Sequence, residues 1–96
     1  MRVMTEVTAM VEAAREGDLI DGFRRLLLEP RPDGLERTEL LRDSDGLWRI
    51  QTLWRDQQAL ETMRAAPEPP AAPQLFRQIG SDPKLRILRV EASTGN

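Results

Sequence analysis

The chain has 96 residues, with 14 basic and 16 acidic side chains, a formal net charge of -2 and a sequence pI near 5.2. This length supports one domain, and the scattered basic residues form no stripe for nucleic-acid binding. The absence of cysteine and histidine excludes disulfides, thiolate chemistry and the commonest general base and metal ligand, so we predict no metal site.

The N-terminus lacks the uninterrupted apolar core of a signal peptide, and no apolar run reaches the length of a membrane span. We therefore expect a soluble, cytoplasmic protein that binds no membrane. No repeat or change in composition divides the chain. Residues 1–96 are predicted to form a single domain, with 93–96 as a frayed tail.

The first predicted element is a strand over residues 2–11, which are rich in valine, threonine and methionine and contain no glycine or proline. Both of its faces are largely apolar, which is typical of a strand covered on both sides. A helix follows, from residues 16–18 to Glu29 and Pro30. Its predicted inner face carries apolar residues at helical spacing: Leu19, Ile20, Phe23, Leu26 and Leu27.

Residues 35–42 and 47–55 predict a hairpin around the polar turn at 43–46. Side chains alternate along the second strand, so Trp48 and Trp54 share one face with Thr52. They are the only tryptophans in a chain without tyrosine. Two such rings form either a core layer or the wall of an apolar cleft, and the pattern leaves both interpretations open.

Asp56 is a predicted N-cap for a short helix that runs to about residue 65, with Ala59, Leu60 and Met63 facing inward. The proline-rich segment 67–73 is predicted to be a stiff loop. After it, residues 74–80 form one or two helical turns.

Residues 84–92 are predicted to form the last strand, which completes the order β-α-β-β-α-(short α)-β. The order indicates an α+β, ferredoxin-like split βαβ plan with a four-stranded antiparallel sheet. Two helices cover only one face of such a sheet, yet the first and last strands are apolar on both faces. We therefore predict a homodimer in which a second copy covers the other face and buries on the order of 2,000 Å².

The hairpin and its passage into the next helix resemble the antibiotic biosynthesis monooxygenase domain, a family of dimeric α+β barrels. The resemblance rests on the glycine and ELLRD-like run of residues 34–43 and on LWRDQQAL at 53–60, and it extends over nearly the whole chain. Characterised members include cofactor-independent oxygenases acting on anthrones and quinols, and related haem-degrading enzymes.

The chain departs from the family pattern at polar positions. Many members have a glutamate two residues before the tryptophan and a histidine in the next helix, where this chain has Thr52 and Met63. Haem degradation depends on histidine, so we predict no haem and no other cofactor. Of the asparagine, tryptophan and tyrosine around the substrate of anthrone oxygenases, only Trp54 carries over, because the single asparagine is the terminal Asn96.

Two functions remain open from the sequence. One is a cofactor-independent monooxygenase that oxidises an aromatic, polyketide-like phenol or quinol in a dry pocket. The other is a non-catalytic ligand-binding or interaction homodimer that lost its polar site residues.

The predicted substrate-binding residues lie between helices and sheet: Trp54, Trp48, Thr52, Met63, Phe23, Phe76 and Arg37, with Arg37 or Arg49 stabilising an oxyanion. Core packing is the alternative role of the aromatic residues, and a solvated cross-strand position that of the arginines. Glu6, Glu39 and Glu61 are candidate bases that no motif places.

Overall fold

The computed structural model describes residues 1–95. Its sheet is antiparallel, in the order β2-β3-β1-β4, and consists of β1 (Val3–Met10), β2 (Leu35–Arg42), β3 (Leu47–Trp54) and β4 (Lys84–Arg89). The helices are α1 (Glu16–Leu26), entered through a 3-10 turn at Ala13–Arg15, α2 (Gln57–Arg64) and α3 (Ala71–Gln78). This architecture confirms the predicted α+β, ferredoxin-like fold. A single chain does not test the predicted dimer.

The hairpin between β2 and β3 forms as predicted, and its turn is held by one carboxylate. Asp43 Oδ1 accepts hydrogen bonds from the backbone N–H groups of Asp45 at 2.9 Å and Leu47 at 3.0 Å. The bond from Leu47 is the main reason that the pKa of Asp43 is lowered. Gly46 takes a positive φ of 86° that closes the turn. This turn fixes the pairing of β2 with β3. Because side chains alternate along β3, both of its tryptophans point to the same face.

All three helices pack on that face, where two apolar clusters form. The first core cluster lies under α1 and α3 and consists of Val7, Ala9, Leu19, Phe23, Trp48, Ile50, Phe76 and Ile79. The second core cluster lies under α2 and consists of Val3, Trp54, Ala59 and Leu60. The predicted cap of α2 is confirmed, since Asp56 Oδ1 accepts from the Ala59 N–H at 2.8 Å. We call this side of the sheet the helix-covered face.

The first helix ends earlier than predicted, and Leu27 does not belong to its inner face. After Leu26 the chain tightens into a turn in which Leu28 N–H bonds Arg25 O and Glu29 N–H bonds Leu26 O. These bonds span three residues instead of four, so the helix ends here in a tighter turn. Leu27, at this end of the helix, is 54% exposed.

The proline-rich segment is partly helical, which corrects the predicted loop over 67–73. Helix α3 begins at Ala71 and contains Pro73 in its first turn. The first N–H groups of a helix have no carbonyl partner within it, so the missing N–H of Pro73 costs no hydrogen bond.

The last strand ends at Arg89 instead of residue 92, although the Val90 N–H still donates to Arg2 O at 3.0 Å. Residue 96 lies outside the described residues, so the predicted fraying of 93–96 stays a prediction. Within residues 1–95, no helix is long and apolar enough to cross a membrane.

The other side of the sheet carries no helix among the described residues, and we call it the open face. Three apolar side chains, Leu53, Met4 and Leu88, lie directly opposite one another across β3, β1 and β4. A row of charged and polar side chains runs beside them. It consists of Glu39, Gln51, Glu6 and Arg86.

Replacing Gly34 by alanine should destabilise the fold by about 2–5 kcal/mol, the sum of a left-handed backbone penalty and overpacking. Gly34 has φ +83°, and an added Cβ would overlap the Cβ of Ala59 on α2. Gly46→Ala is the matched control because its φ is +86° but nothing lies within 4 Å of an added Cβ. Urea unfolding of both variants measures the difference. Equal losses would contradict the packing of Gly34 against α2.

Candidate functional site

Trp54 lies in the closed interior of the helix-covered face. Its ring is only 3% exposed and packs with Val3, Ala59 and Leu60. The indole Nε1–H donates a hydrogen bond to Thr5 Oγ1 at 3.2 Å. The structure thus gives Trp54 the core-packing role that the sequence left open, and its contact with a substrate stays a prediction.

A row of three threonines crosses the helix-covered face. Thr38, Thr52 and Thr5 lie directly opposite one another on β2, β3 and β1, and we call them the threonine row. Thr52 and Thr38 are joined by a hydrogen bond between their Oγ1 atoms at 3.0 Å. Thr5 and Thr52 are only 8% and 6% exposed. The row brings hydroxyl groups between two clusters that are otherwise apolar.

Trp48 lies at the far end of β3 and is held by charged residues. Its Nε1–H donates to Glu16 Oε2 at 2.9 Å, and the Arg42 guanidinium lies 5.7 Å from the ring centroid. Arg42 and Glu16 also approach to 3.5 Å. The role of Glu16 is not visible in the sequence, because it depends on where the start of α1 comes to lie over the sheet.

The predicted substrate-binding residues do not form one pocket. Trp48, Phe23 and Phe76 belong to the first core cluster, whereas Trp54 belongs to the second with Met63 packed beside it. Of the predicted substrate-binding residues, only Thr52 lies between the two core clusters.

Arg37 lies on the open face, so the prediction that it joins these residues is wrong. A β-bulge between Leu35 and Arg37 changes the pairing: Leu35 lies opposite Trp54, but Arg37 lies opposite Leu53. The extra residue shifts the alternation of side chains by one, which turns Arg37 to the other side of the sheet. There it forms an ion pair with Glu39 at 3.0 Å.

Two grooves lie on the surface of the described residues, and neither is lined by Trp54, Thr52 or Met63. One, of about 230 Å³, lies between α1 and α3 around Gly22 and Leu75. The other, of about 580 Å³, lies at the end of the sheet around Met10 and Lys84.

Glu6 is the centre of a polar cluster on the open face and is buried beneath its partners. Its Oε1 accepts from Arg86 at 2.9 Å, and its Oε2 accepts from Gln51 at 2.9 Å and Arg49 at 3.2 Å. The pKa of Glu6 is lowered, chiefly by the hydrogen bond from Gln51 and next by the hydrogen bond from Arg86.

None of the three predicted bases lies beside Trp54. Glu6 and Glu39 are on the open face, and Glu61 is exposed on α2, where it accepts a hydrogen bond from Gln57 at 2.6 Å. Glu6 is also a weak base, because its carboxylate accepts hydrogen bonds from three side chains and its pKa is lowered. Within residues 1–95, no group of histidine, cysteine, aspartate or glutamate side chains is placed to hold a metal ion.

Glu6→Gln should lower the free energy of unfolding at pH 7 by about 1–3 kcal/mol, because charge-assisted hydrogen bonds are lost from a buried group. The folded-state pKa of Glu6 is lowered from 4.5, so its contribution is full above pH 4.5 and is lost as pH falls through the folded pKa. The difference between wild type and variant should therefore shrink in acid.

Urea unfolding at pH 7 and pH 3 tests this. Glu39→Gln is the control on the same face, where loss of one exposed ion pair should cost less than about 1 kcal/mol. A difference for Glu6→Gln that grows in acid would refute the assignment.

The comparisons with known proteins rest on structure, because no family model matches the chain and no curated protein matches it at a significant level. SnoaB, a cofactor-independent oxygenase from Streptomyces nogalater, has a TM-score of 0.77 at 22% identity, over 99% of this chain and 98% of that one. A protein from Deinococcus radiodurans that is provisionally assigned to the antibiotic biosynthesis monooxygenases has a TM-score of 0.76 at 17% identity, over 98% of this chain and 97% of that one.

A heme-degrading protein from Mycobacterium tuberculosis is also similar, with a TM-score of 0.69 at 18% identity over 99% of this chain and 100% of that one. These proteins share the fold over their full lengths. The chain therefore has the fold of the antibiotic biosynthesis monooxygenase domain, as the hairpin motifs implied.

Proposed function

We propose that the protein is a cofactor-independent monooxygenase that oxidises an aromatic, polyketide-like phenol, quinol or anthrone on the helix-covered face. The observation that carries this proposal is the threonine row, which places hydroxyl groups inside an apolar interior beside Trp54. An aromatic body with a polar oxygen matches such a surface. The likeness of the fold to SnoaB, an oxygenase without a cofactor, supports the same reaction class.

The reaction requires little of the protein beyond binding the substrate and excluding water from it. Oxidation of a ring CH₂ to a carbonyl consumes one O₂: one oxygen atom enters the substrate, and the other leaves as water with the two hydrogens. The substrate anion supplies the electrons. The protein's part is to hold the ring in a dry pocket and to favour loss of the first proton.

The distance between the threonine row and a carboxylate that could act as the base limits catalysis at this site. The strand residues on the helix-covered face that carry a charge are Arg42 and Arg89, which lie towards its ends. Glu16 is the carboxylate that reaches this face, at Trp48. Trp48 is four residues from Thr52 along β3, which is about 13 Å at about 3.3 Å per residue. One small substrate does not reach both Glu16 and the threonine row.

This distance favours a second candidate function, a non-catalytic homodimer that binds an aromatic ligand. The closed packing of Trp54 points in the same direction. Such a protein would keep the hydroxyl groups that orient the ligand and lack the base that activates it.

The two functions predict different oxygen consumption. Purified protein without added metal or cofactor should accelerate O₂ uptake by anthrone at least tenfold over its spontaneous oxidation, with one O₂ consumed for each anthraquinone formed. An oxygen electrode and chromatography measure the two quantities. Binding of anthrone without faster O₂ uptake would reject the monooxygenase and support the binding protein.

We further propose that a second copy covers the open face. Leu88 and Leu41 are exposed there, and the apolar row of Leu53, Met4 and Leu88 lies without a helix over it in the described residues. Exposed apolar rows of this kind mark interaction surfaces, and two sheets packed face to face bury about 2,000 Å², which is enough for a stable dimer.

Leu88→Glu should convert the protein to a monomer, because it would bury a carboxylate from each copy in the proposed interface. Leu28→Glu is the control, since Leu28 lies in the turn after α1, away from the open face, and is 86% exposed. Sedimentation equilibrium at micromolar concentration distinguishes the two. A monomeric wild type, or dimers for both variants, would contradict an interface on this face.

A further inference from the structure

We propose that α3 opens as one unit while the sheet, α1 and α2 stay folded, and that its opening joins the two surface grooves into one cleft that reaches the first core cluster. The motion is a local unfolding of the kind that proteins undergo under native conditions, at a free energy below that of global unfolding. It is a property of the chain without a ligand, so it does not rest on the proposed function.

Apolar packing fastens α3 to the rest of the fold. Phe76 is fully buried and, with Ile79, belongs to the first core cluster, while Leu75 packs against it. The backbone hydrogen bonds at the end of α3, such as that from Ser81 N–H to Phe76 O at 2.9 Å, stay within its own segment. In the part of the chain that the structure describes, the side-chain hydrogen bonds and ion pairs include no residue from 65 to 85. Separating α3 from α1 and the sheet therefore breaks apolar contacts only.

The other two helices are also held by polar bonds. In α1, Glu16 accepts a hydrogen bond from Trp48 on β3 at 2.9 Å. The Asp56 carboxylate caps α2, and the Arg55 N–H just before it donates to Gly34 O at 2.8 Å. Helix α3 has eight residues, as α2 has, but no side chain caps its start. A helix this short depends on packing for its stability, so α3 should unfold as a unit when its packing is lost.

The connections at both ends of α3 allow this motion. Residues 65–69 before it are exposed, and Pro67, Pro69 and Pro70 have no N–H to donate. After it, Gly80 is exposed and has φ +78°, with nothing within 4 Å of an added Cβ. Because both connections lie at the surface, they can change conformation while the sheet stays folded.

Opening of α3 changes the surface because one residue separates the two grooves. Ile79 lines both the groove of about 230 Å³ beside α1 and the groove of about 580 Å³ at the end of the sheet. It also packs in the first core cluster with Ala9 and Trp48. When α3 leaves, this shared wall is removed, and the two grooves become one cleft that extends to the cluster.

Native-state hydrogen exchange measured by NMR tests the opening. The hydrogen-bonded amides of α3 should share one protection factor, at least tenfold below that of the amides of α2. Helix α2 is the internal control, because it has the same length and is held by polar bonds. Equal protection of the two helices would overturn the inference. Protection that falls gradually from the middle of α3 to its ends would show fraying instead of a unit, and would overturn it as well.

Two core variants separate local opening from global unfolding. Phe76→Leu weakens contacts that the opening breaks, so it should speed exchange in α3 about tenfold. Leu60→Val is the matched control, because Leu60 is as fully buried as Phe76 but lies in the second core cluster under α2. It should speed exchange in α2 and leave α3 within about twofold of wild type. Equal acceleration of α3 by both variants would mean that α3 exchanges only through global unfolding, which contradicts the proposal.

Thiol labelling tests whether the opening reaches the first core cluster, since the chain has no cysteine. Ala9→Cys and Val3→Cys each place one buried thiol on β1, the former in the first core cluster and the latter in the second. The thiol at position 9 should react with dithionitrobenzoate at least tenfold faster than the thiol at position 3. Phe76→Leu should speed its reaction about tenfold, and Leu60→Val should leave it unchanged. Equal rates at the two positions, or acceleration at position 9 by Leu60→Val, would overturn the proposed cleft.

Discussion

The register between β1 and β3 is the constraint on which the rest of the molecule depends. It pairs Thr5 with Thr52 and Val3 with Trp54, so that both tryptophans of β3 face the helices. Side chains alternate along a strand, and a slip of one residue would move this whole set to the open face. The bond from Trp54 to Thr5 adds specificity, because it forms only when these two strands are correctly aligned.

The two sides of this sheet carry different chemistry. The helix-covered face holds hydroxyl groups among apolar side chains, while the open face holds a carboxylate, Glu6, among arginines. Neutral hydroxyls can be buried at modest cost once one bond is formed, so they fit an otherwise apolar interior. The ion pairs of Glu6 instead order an exposed surface, and they stand beside the apolar row that the proposed second copy would cover.

The chain has the fold of the antibiotic biosynthesis monooxygenase domain, and its side chains limit the chemistry of the proposed site. Hydrogen-bond donors directed at a keto oxygen stabilise the charge that develops when a neighbouring C–H loses its proton. They do not remove the proton. If the proposed site is used, its hydroxyl groups and the distant carboxylate of Glu16 suit substrates that ionise readily, or ligands that are bound and not converted.

The sequence by itself determined the order and type of the elements, though not the ends of α1 and β4 or the start of α3, because strand alternation, helical spacing and the Asp43 turn are local properties. It also placed Trp48, Thr52 and Trp54 on one face. What it left open depended on contacts between distant segments: the bulge that turns Arg37 outward, Glu16 reaching Trp48, and Thr5 accepting from Trp54. Only the tertiary structure decided these, since each depends on pairing or packing between elements that no spacing along one segment encodes.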